Sequence, residues 1–127
     1  GEGKKVVSDG NGVFPDDKRE KIELLLKDFK NLSREVEIEK GKKMEFIIEK
    51  IEEISIAQIS CLRVILKGFS ARWGIDIFRK EDVSKPVFSG KNFAFCPARD
   101  ISQEKGQRED WEEVSMLLCK VFAKLDR

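Results

Sequence analysis

Three cysteines, two acidic pairs and two basic clusters are the residues of this chain that could carry chemistry. Cys61, Cys96 and Cys119 are odd in number and widely spaced, with no Cys-x-x-Cys pair. A zinc site needs closely spaced ligands, so no metal is expected. A cysteine nucleophile would need a basic partner such as histidine, and the chain has no His and no Tyr. The commonest general base is therefore missing. All three cysteines lie in apolar stretches, where a reduced thiol packs as a small hydrophobe. Glu52-Glu53 and Glu112-Glu113 are paired only in sequence, because neighbours on a helix point about 100° apart. No phosphate-binding loop, dinucleotide fingerprint, His-Glu-x-x-His or EF-hand loop is present. The expectation is a protein that is not an enzyme and takes no cofactor.

Lys40, Lys42 and Lys43 form one basic cluster. Lys67, Arg72, Trp73, Arg79 and Lys80 form a second, which adds an aromatic platform to the charge. Nucleic-acid surfaces combine these two features. Lys67, Arg72, Trp73 and Lys80 therefore make a candidate nucleic-acid-binding surface, as the alternative reading. Acidic neighbours flank both clusters, and 25 basic against 24 acidic residues leave a net charge of +1. The favoured reading of these charges is a solvated surface, and nucleic acid is not the favoured partner.

The elements around these residues read as helices. Residues 1–14, with the turn-forming Asp9-Gly10-Asn11-Gly12, are expected as a flexible leader. Residues 15–127 are expected as a single helical domain. Phe14-Pro15-Asp16-Asp17 looks like a helix start, and Ile22, Leu25, Phe29, Leu32 and Val36 follow at alternating spacings of three and four. Gly41 interrupts that seam, so a break or bend is expected there. From Met44 to Phe69 the chain is first amphipathic and then apolar on nearly every side, with Ile47, Ile51, Ile54, Leu62 and Ile65 along a helix. The competing reading makes Ile59 to Leu66 a buried strand, because that run is rich in branched residues. Ile75-Asp76-Ile77-Phe78, Pro86-Val87-Phe88 and Phe93-Ala94-Phe95-Cys96 suggest a small β element at about 74–96. Trp111, Val114, Leu118, Val121 and Leu125 mark a final helix. The fold class read from these patterns is mainly α, a helical bundle or helical hairpin with a small β element. The alternative is α+β with a strand at 59–66.

Leu24-Leu25-Leu26-Lys27-Asp28-Phe29, followed by Arg34-Glu35-Val36-Glu37-Ile38, resembles the start of the long N-terminal helix of borealin, a chromosomal passenger subunit. Trp73-Gly74-Ile75-Asp76-Ile77-Phe78 lies at a comparable distance downstream, so the resemblance covers residues 22–78. It implies that Leu25, Phe29 and Val36 are contacts of a three-helix bundle, and that the role is in chromosome segregation.

The function expected is a non-enzymatic protein–protein interaction or scaffold module acting through apolar helix faces. Its partner-binding residues would be Leu25, Phe29, Val36, Ile47, Ile51, Ile54, Leu62 and Ile65. The partner would be another protein helix or a second copy, giving an oligomer and a coiled-coil-like seam. The apolar run from Ile54 to Leu66 contains Arg63 and is too short to cross a bilayer, so no membrane is expected. Reduced cysteines point to a cytoplasmic or nuclear setting.

Overall fold

The computed structural model describes residues 16–127, and the expected leader at 1–14 lies outside them. Helix α1 (Asp16–Leu32) buries Ile22, Leu25, Leu26 and Phe29 and turns Glu23, Lys27 and Lys30 outward, as its three-and-four spacing requires. A 3₁₀ turn at Ser33–Glu35 ends it, and Val36 leaves in an extended conformation. Strands β1 (Val36–Glu39) and β2 (Lys42–Met44) then form a two-stranded antiparallel ribbon. The turn between them falls at Gly41, whose φ of +76° suits glycine, and the Gly41 N–H donates to the Glu37 carboxylate at 2.6 Å.

The rest of the chain builds a five-stranded antiparallel sheet closed by a C-terminal helix. Its strands are β3 (Ile47–Ile56), β4 (Ile59–Gly68), β5 (Ala71–Arg79), β6 (Phe88–Ser89) and β7 (Phe93–Pro97), in the order β3-β4-β5-β7-β6. Helix α2 (Trp111–Leu125) follows. Cross-strand register puts Leu62, Val64 and Leu66 on one face with Ile77, Ile75 and Trp73, and Phe95 opposite Ile77 joins them. Both helices cover this face. Phe29 of α1 stacks on Phe122 of α2 at 4.4 Å between ring centroids, and Phe122 stacks in turn on Phe95 at 5.9 Å.

The opposite face carries a smaller cluster of Cys61, Phe78 and Ala94, with Ile54, Val83 and Cys96 packed against it. A 3₁₀ turn at Arg99–Gln103 lies directly on this face. A Cβ at Gly74 would sit 2.7 Å from the Ala98 Cβ, so only glycine lets that segment approach. At the far end, Asp126 accepts hydrogen bonds from the Asn92 and Phe93 amides at 2.9 and 2.8 Å and from Asn92 Nδ2 at 2.8 Å. The end of α2 is thereby tied to the β6–β7 turn.

The mainly α expectation is overturned, and with it the helical bundle, the helical hairpin and the coiled coil. The described chain is α+β, with two α-helices and seven strands. Three physical features hid the strands. A bulge between Ile48 and Lys50 puts Ile48 and Ile51 on the same face although they are three residues apart, which imitates a helical spacing. All six residues from Cys61 to Leu66 are buried, so β4 shows no alternation. Finally, the β3–β4 and β4–β5 hairpins turn through Ala57-Gln58 and Phe69-Ser70, all four at positive φ, with no glycine or asparagine to signal them. Residues 59–66, for which a strand was the second reading, lie within β4. The strands expected between 74 and 96 exist as members of this larger sheet rather than as a separate small element. The break expected at Gly41 falls between two strands, five residues after the start of the strand that has already replaced the helix.

Left-handed backbone at non-glycine residues costs about 1–2 kcal/mol each, and asparagine-glycine fits the same turn with less strain. The double substitution Ala57→Asn with Gln58→Gly should therefore stabilise the protein by about 1–2 kcal/mol. Urea unfolding with an unchanged m-value is the check. A loss of stability would show that this turn is not as described.

Candidate functional site

Strand β3 is the feature that sets this sheet apart from a closed one. It stands at the end of the strand order, and no strand among the described residues pairs with its outer side. Ile56 and Ile59 flank a two-residue turn and so form a fully hydrogen-bonded pair. Alternation from that pair turns the N–H and C=O groups of Glu52 and Ile54 towards β4. Those of Ile51, Glu53 and Ser55 face outward. An outward-facing row of backbone groups on an edge strand is a template for a further strand. The other edge differs in kind, because β6 is two residues long and is bracketed by the tied turn at Asn92.

Beside the open edge lies a groove of about 640 Å³, bounded by the end of α1 and the start of β3. Its apolar walls are Leu26, Phe46, Ile48 and Ile51, and its rim carries Lys27, Lys30 and Arg34. Arg34 is paired with Glu45 at 3.1 Å, whereas Lys27 and Lys30 are exposed and form no ion pair among the described residues. Ile47, at the mouth of the groove, is 63% exposed.

The eight residues expected to bind a partner are split by the fold. Leu25, Phe29, Val36, Leu62 and Ile65 are buried in the core. Ile47, Ile51 and Ile54 lie on β3, with Ile51 on the helix-covered face and Ile54 on the other. The structure brings these three to one edge, though not to a helix face. Lys27 and Lys30 were not singled out in the sequence, where they read as part of a solvated helix surface. The bulge at Glu49 was the one usable signal, and it is invisible without the register.

The four residues of the alternative surface are not assembled into one. Lys67 and Arg72 are cross-strand neighbours, both bound to Glu49 at 3.3 and 3.1 Å, and Arg72 also meets Glu104 at 2.6 Å. They line a second cavity of about 570 Å³ with Ser70, Lys105 and Gln107. Trp73 is fully buried on the helix side, where its Nε1 donates to the Gly68 carbonyl at 3.0 Å, so it offers no stacking face. Lys80 lies at the other end of β5 and donates to the Gly90 carbonyl at 2.9 Å.

A third cleft, of about 510 Å³, opens beside β6 and is lined by Phe78, Val83, Val87, Phe88 and Met116. The Arg63–Asp76 pair lies in its wall. Arg63 Nε and Nη2 donate to the two Asp76 oxygens at 2.7 and 3.0 Å, and Nη1 reaches Asp100 Oδ2 at 2.8 Å. Asp76 is only 2% exposed. Burial pushes its carboxyl upward while Arg63 draws it back, and the bond to Asp76 raises Arg63 in turn. Asp100, which faces solvent, is held below the usual carboxylate range by its bond to Arg63. Asp100 therefore contributes stability above that range, and the contribution is lost as pH falls through its lowered pKa.

The thiols are free and poorly activated. Burial, and then the negative charge of Asp76, push Cys61 up to about 12. Burial raises Cys96 and, more strongly, Cys119. Among the described residues there is no group of three or more His, Cys, Asp or Glu that could hold a metal ion. Comparison with protein-family models, with curated proteins and with solved structures gives no match. The resemblance of residues 22–78 to borealin therefore rests on the sequence alone.

Two experiments follow from the geometry of this cleft. Removing one partner of a buried ion pair costs about 3–5 kcal/mol, whereas replacing both with apolar residues is close to neutral or better. Asp76→Asn should lose that amount in chemical unfolding, and Arg63→Met with Asp76→Leu should recover most of it. A double variant no more stable than the single one would mean that the pair does more than fill the sheet face. At pH 8, thiol reagents should modify half-buried Cys96 first and reach Cys61 and Cys119 only as the protein unfolds. Rapid modification of all three in the native protein would contradict their placement.

Proposed function

We propose that this chain is a non-enzymatic binding module that receives an extended segment of a partner protein along β3. The observation that carries this reading is the ten-residue strand β3, whose outer side pairs with no strand among the described residues and which lies beside an apolar groove. Strand addition uses such an edge for affinity and the neighbouring side-chain pockets for specificity. Burying Ile47 and the exposed parts of Ile51 and Ile54 would contribute roughly 1.5–3 kcal/mol for each fully covered side chain. Partner binding was expected from the sequence, but on helix faces. Leu25 and Phe29 now serve the core, so the strand edge replaces them.

Three observations support a non-catalytic role. The chain has no histidine, its thiols are held protonated, and its buried carboxylates Asp76 and Asp126 are both engaged in hydrogen bonds. Nucleic-acid binding loses its aromatic platform to the burial of Trp73. Among the described residues no helix is long and apolar enough to cross a membrane. A role in chromosome segregation has the borealin resemblance as its single argument, and Val36 of that motif lies on a strand.

Proline is tolerated on an edge strand where the lost N–H faces outward. Ser55→Pro should therefore leave the fold intact and block strand addition, while Ser55→Ala keeps the N–H and serves as the control. Used as baits in a cell extract, wild type and Ser55→Ala should retain a protein that Ser55→Pro loses. If all three baits retain the same proteins at equal yield, the edge is not the binding surface.

A further inference from the structure

Three of the five large apolar side chains exposed among the described residues, Ile56, Val87 and Met116, line one cleft, that of about 510 Å³ beside β6. We propose that this cleft binds a small molecule with an apolar body and a single carboxylate. The body would lie among Phe78, Val83, Val87, Phe88 and Met116, and the carboxylate would meet Arg99 and Arg63. Binding here does not depend on β3 acting as a docking edge.

Size and lining favour a small molecule. The volume falls within the roughly 300–1,000 Å³ of ligand pockets, which are mostly apolar with a few convergent polar groups. Val83 and Val87 come from the connection between β5 and β6, Phe78 from β5 and Met116 from α2. That connection is held in place without a ligand. Arg79 Nε and Nη2 donate to the two Asp82 oxygens at 3.0 and 3.3 Å, and Lys80 Nζ donates to the Gly90 carbonyl at 2.9 Å. A preformed wall lowers the ordering cost of binding. Val87 is nonetheless 81% exposed, so the wall presents apolar surface for a ligand to cover.

Charge in the lining favours an anion. Arg63, Asp76 and Asp100 are bonded together, and Arg99 precedes Asp100 in the same 3₁₀ turn. Both Asp76 oxygens and Asp100 Oδ2 accept from Arg63, which still carries one further N–H on each Nη. Arg99 approaches Glu112 no closer than 3.4 Å, and Lys85 has no ion-pair partner among the described residues. The lining therefore sets three cations against two carboxylates, and both carboxylates are already engaged. A carboxylate head meets cations with donors to offer, whereas an ammonium head would be repelled by them.

The probes are octanoate, octylamine and octanol at neutral pH, where the first is anionic, the second cationic and the third uncharged. Octanoate should shift the resonances of Val83, Val87 and Met116 in the wild-type protein. It should also slow alkylation of half-buried Cys96, which lines the same cleft. Octylamine and octanol should bind more weakly, and octanoate binding should weaken as salt rises. Arg99→Glu should reduce octanoate affinity about fivefold, and Val87→Asp should abolish binding. Both positions are exposed, so both variants should keep the wild-type unfolding midpoint. If millimolar octanoate neither moves these resonances nor protects Cys96, the cleft is not a carboxylate site. Equal binding of octanol, tighter binding of octylamine, or an octanoate affinity unchanged by Arg99→Glu would also overturn it. Self-association that Val87→Asp abolishes, with no octanoate bound by the monomer, would make the cleft a contact between copies instead.

Discussion

Burial of β4 on both faces is the constraint from which most of this structure follows. From Cys61 to Leu66 every residue is buried, and one of the six is an arginine. A strand of that kind must be flanked by strands on both sides and covered above and below. On one face Leu62, Val64 and Leu66 call for the two helices, which meet through Phe29 and Phe122. On the other face Cys61 and Ile65 call for the Ala98–Ile101 segment and the cluster around Phe78, and Gly74 provides the clearance. Arg63 can occupy this position only because Asp76 stands opposite it in register and supplies both oxygens.

Covering β4 leaves the outer side of β3 without a strand partner among the described residues. The sheet cannot close into a barrel, since β6 is two residues long and its turn is tied to Asp126. One long edge therefore remains. The protein guards it in the usual ways, with a bulge at Glu49 and charges at Lys50, Glu52 and Glu53. Those devices disfavour indiscriminate pairing and still permit a partner whose own sequence suits the edge. The groove beside it is lined by buried Leu26 and by Ile48 and Ile51, which are only partly buried.

The legible parts of this fold were those with a single uninterrupted period. The stripe from Ile22 to Phe29 and the stripe from Trp111 to Leu125 became α1 and α2, because each helix has one buried face and one wet one. The central segment defeated the same reasoning for stated physical causes. The bulge gave Ile48 and Ile51 a helical spacing, the double burial of β4 erased its alternation, and Ala57-Gln58 and Phe69-Ser70 turn without glycine. Of the candidate site, Ile47, Ile51 and Ile54 were singled out by their size and spacing, and they do share an edge. The open backbone groups between them have no sequence signature at all, since every residue carries them. Lys27 and Lys30 matter only through what the fold places across from them.

The account depends on β3 being an open edge in the isolated chain, and amide hydrogen exchange measures that directly. The Glu52 and Ile54 amides should be protected by their bonds to β4, while those of Ile51 and Ser55 should exchange rapidly in the free protein. That alternating pattern along one strand is the predicted result. Equal, strong protection of all four amides in the monomer would mean that the edge is already covered, and would contradict the account.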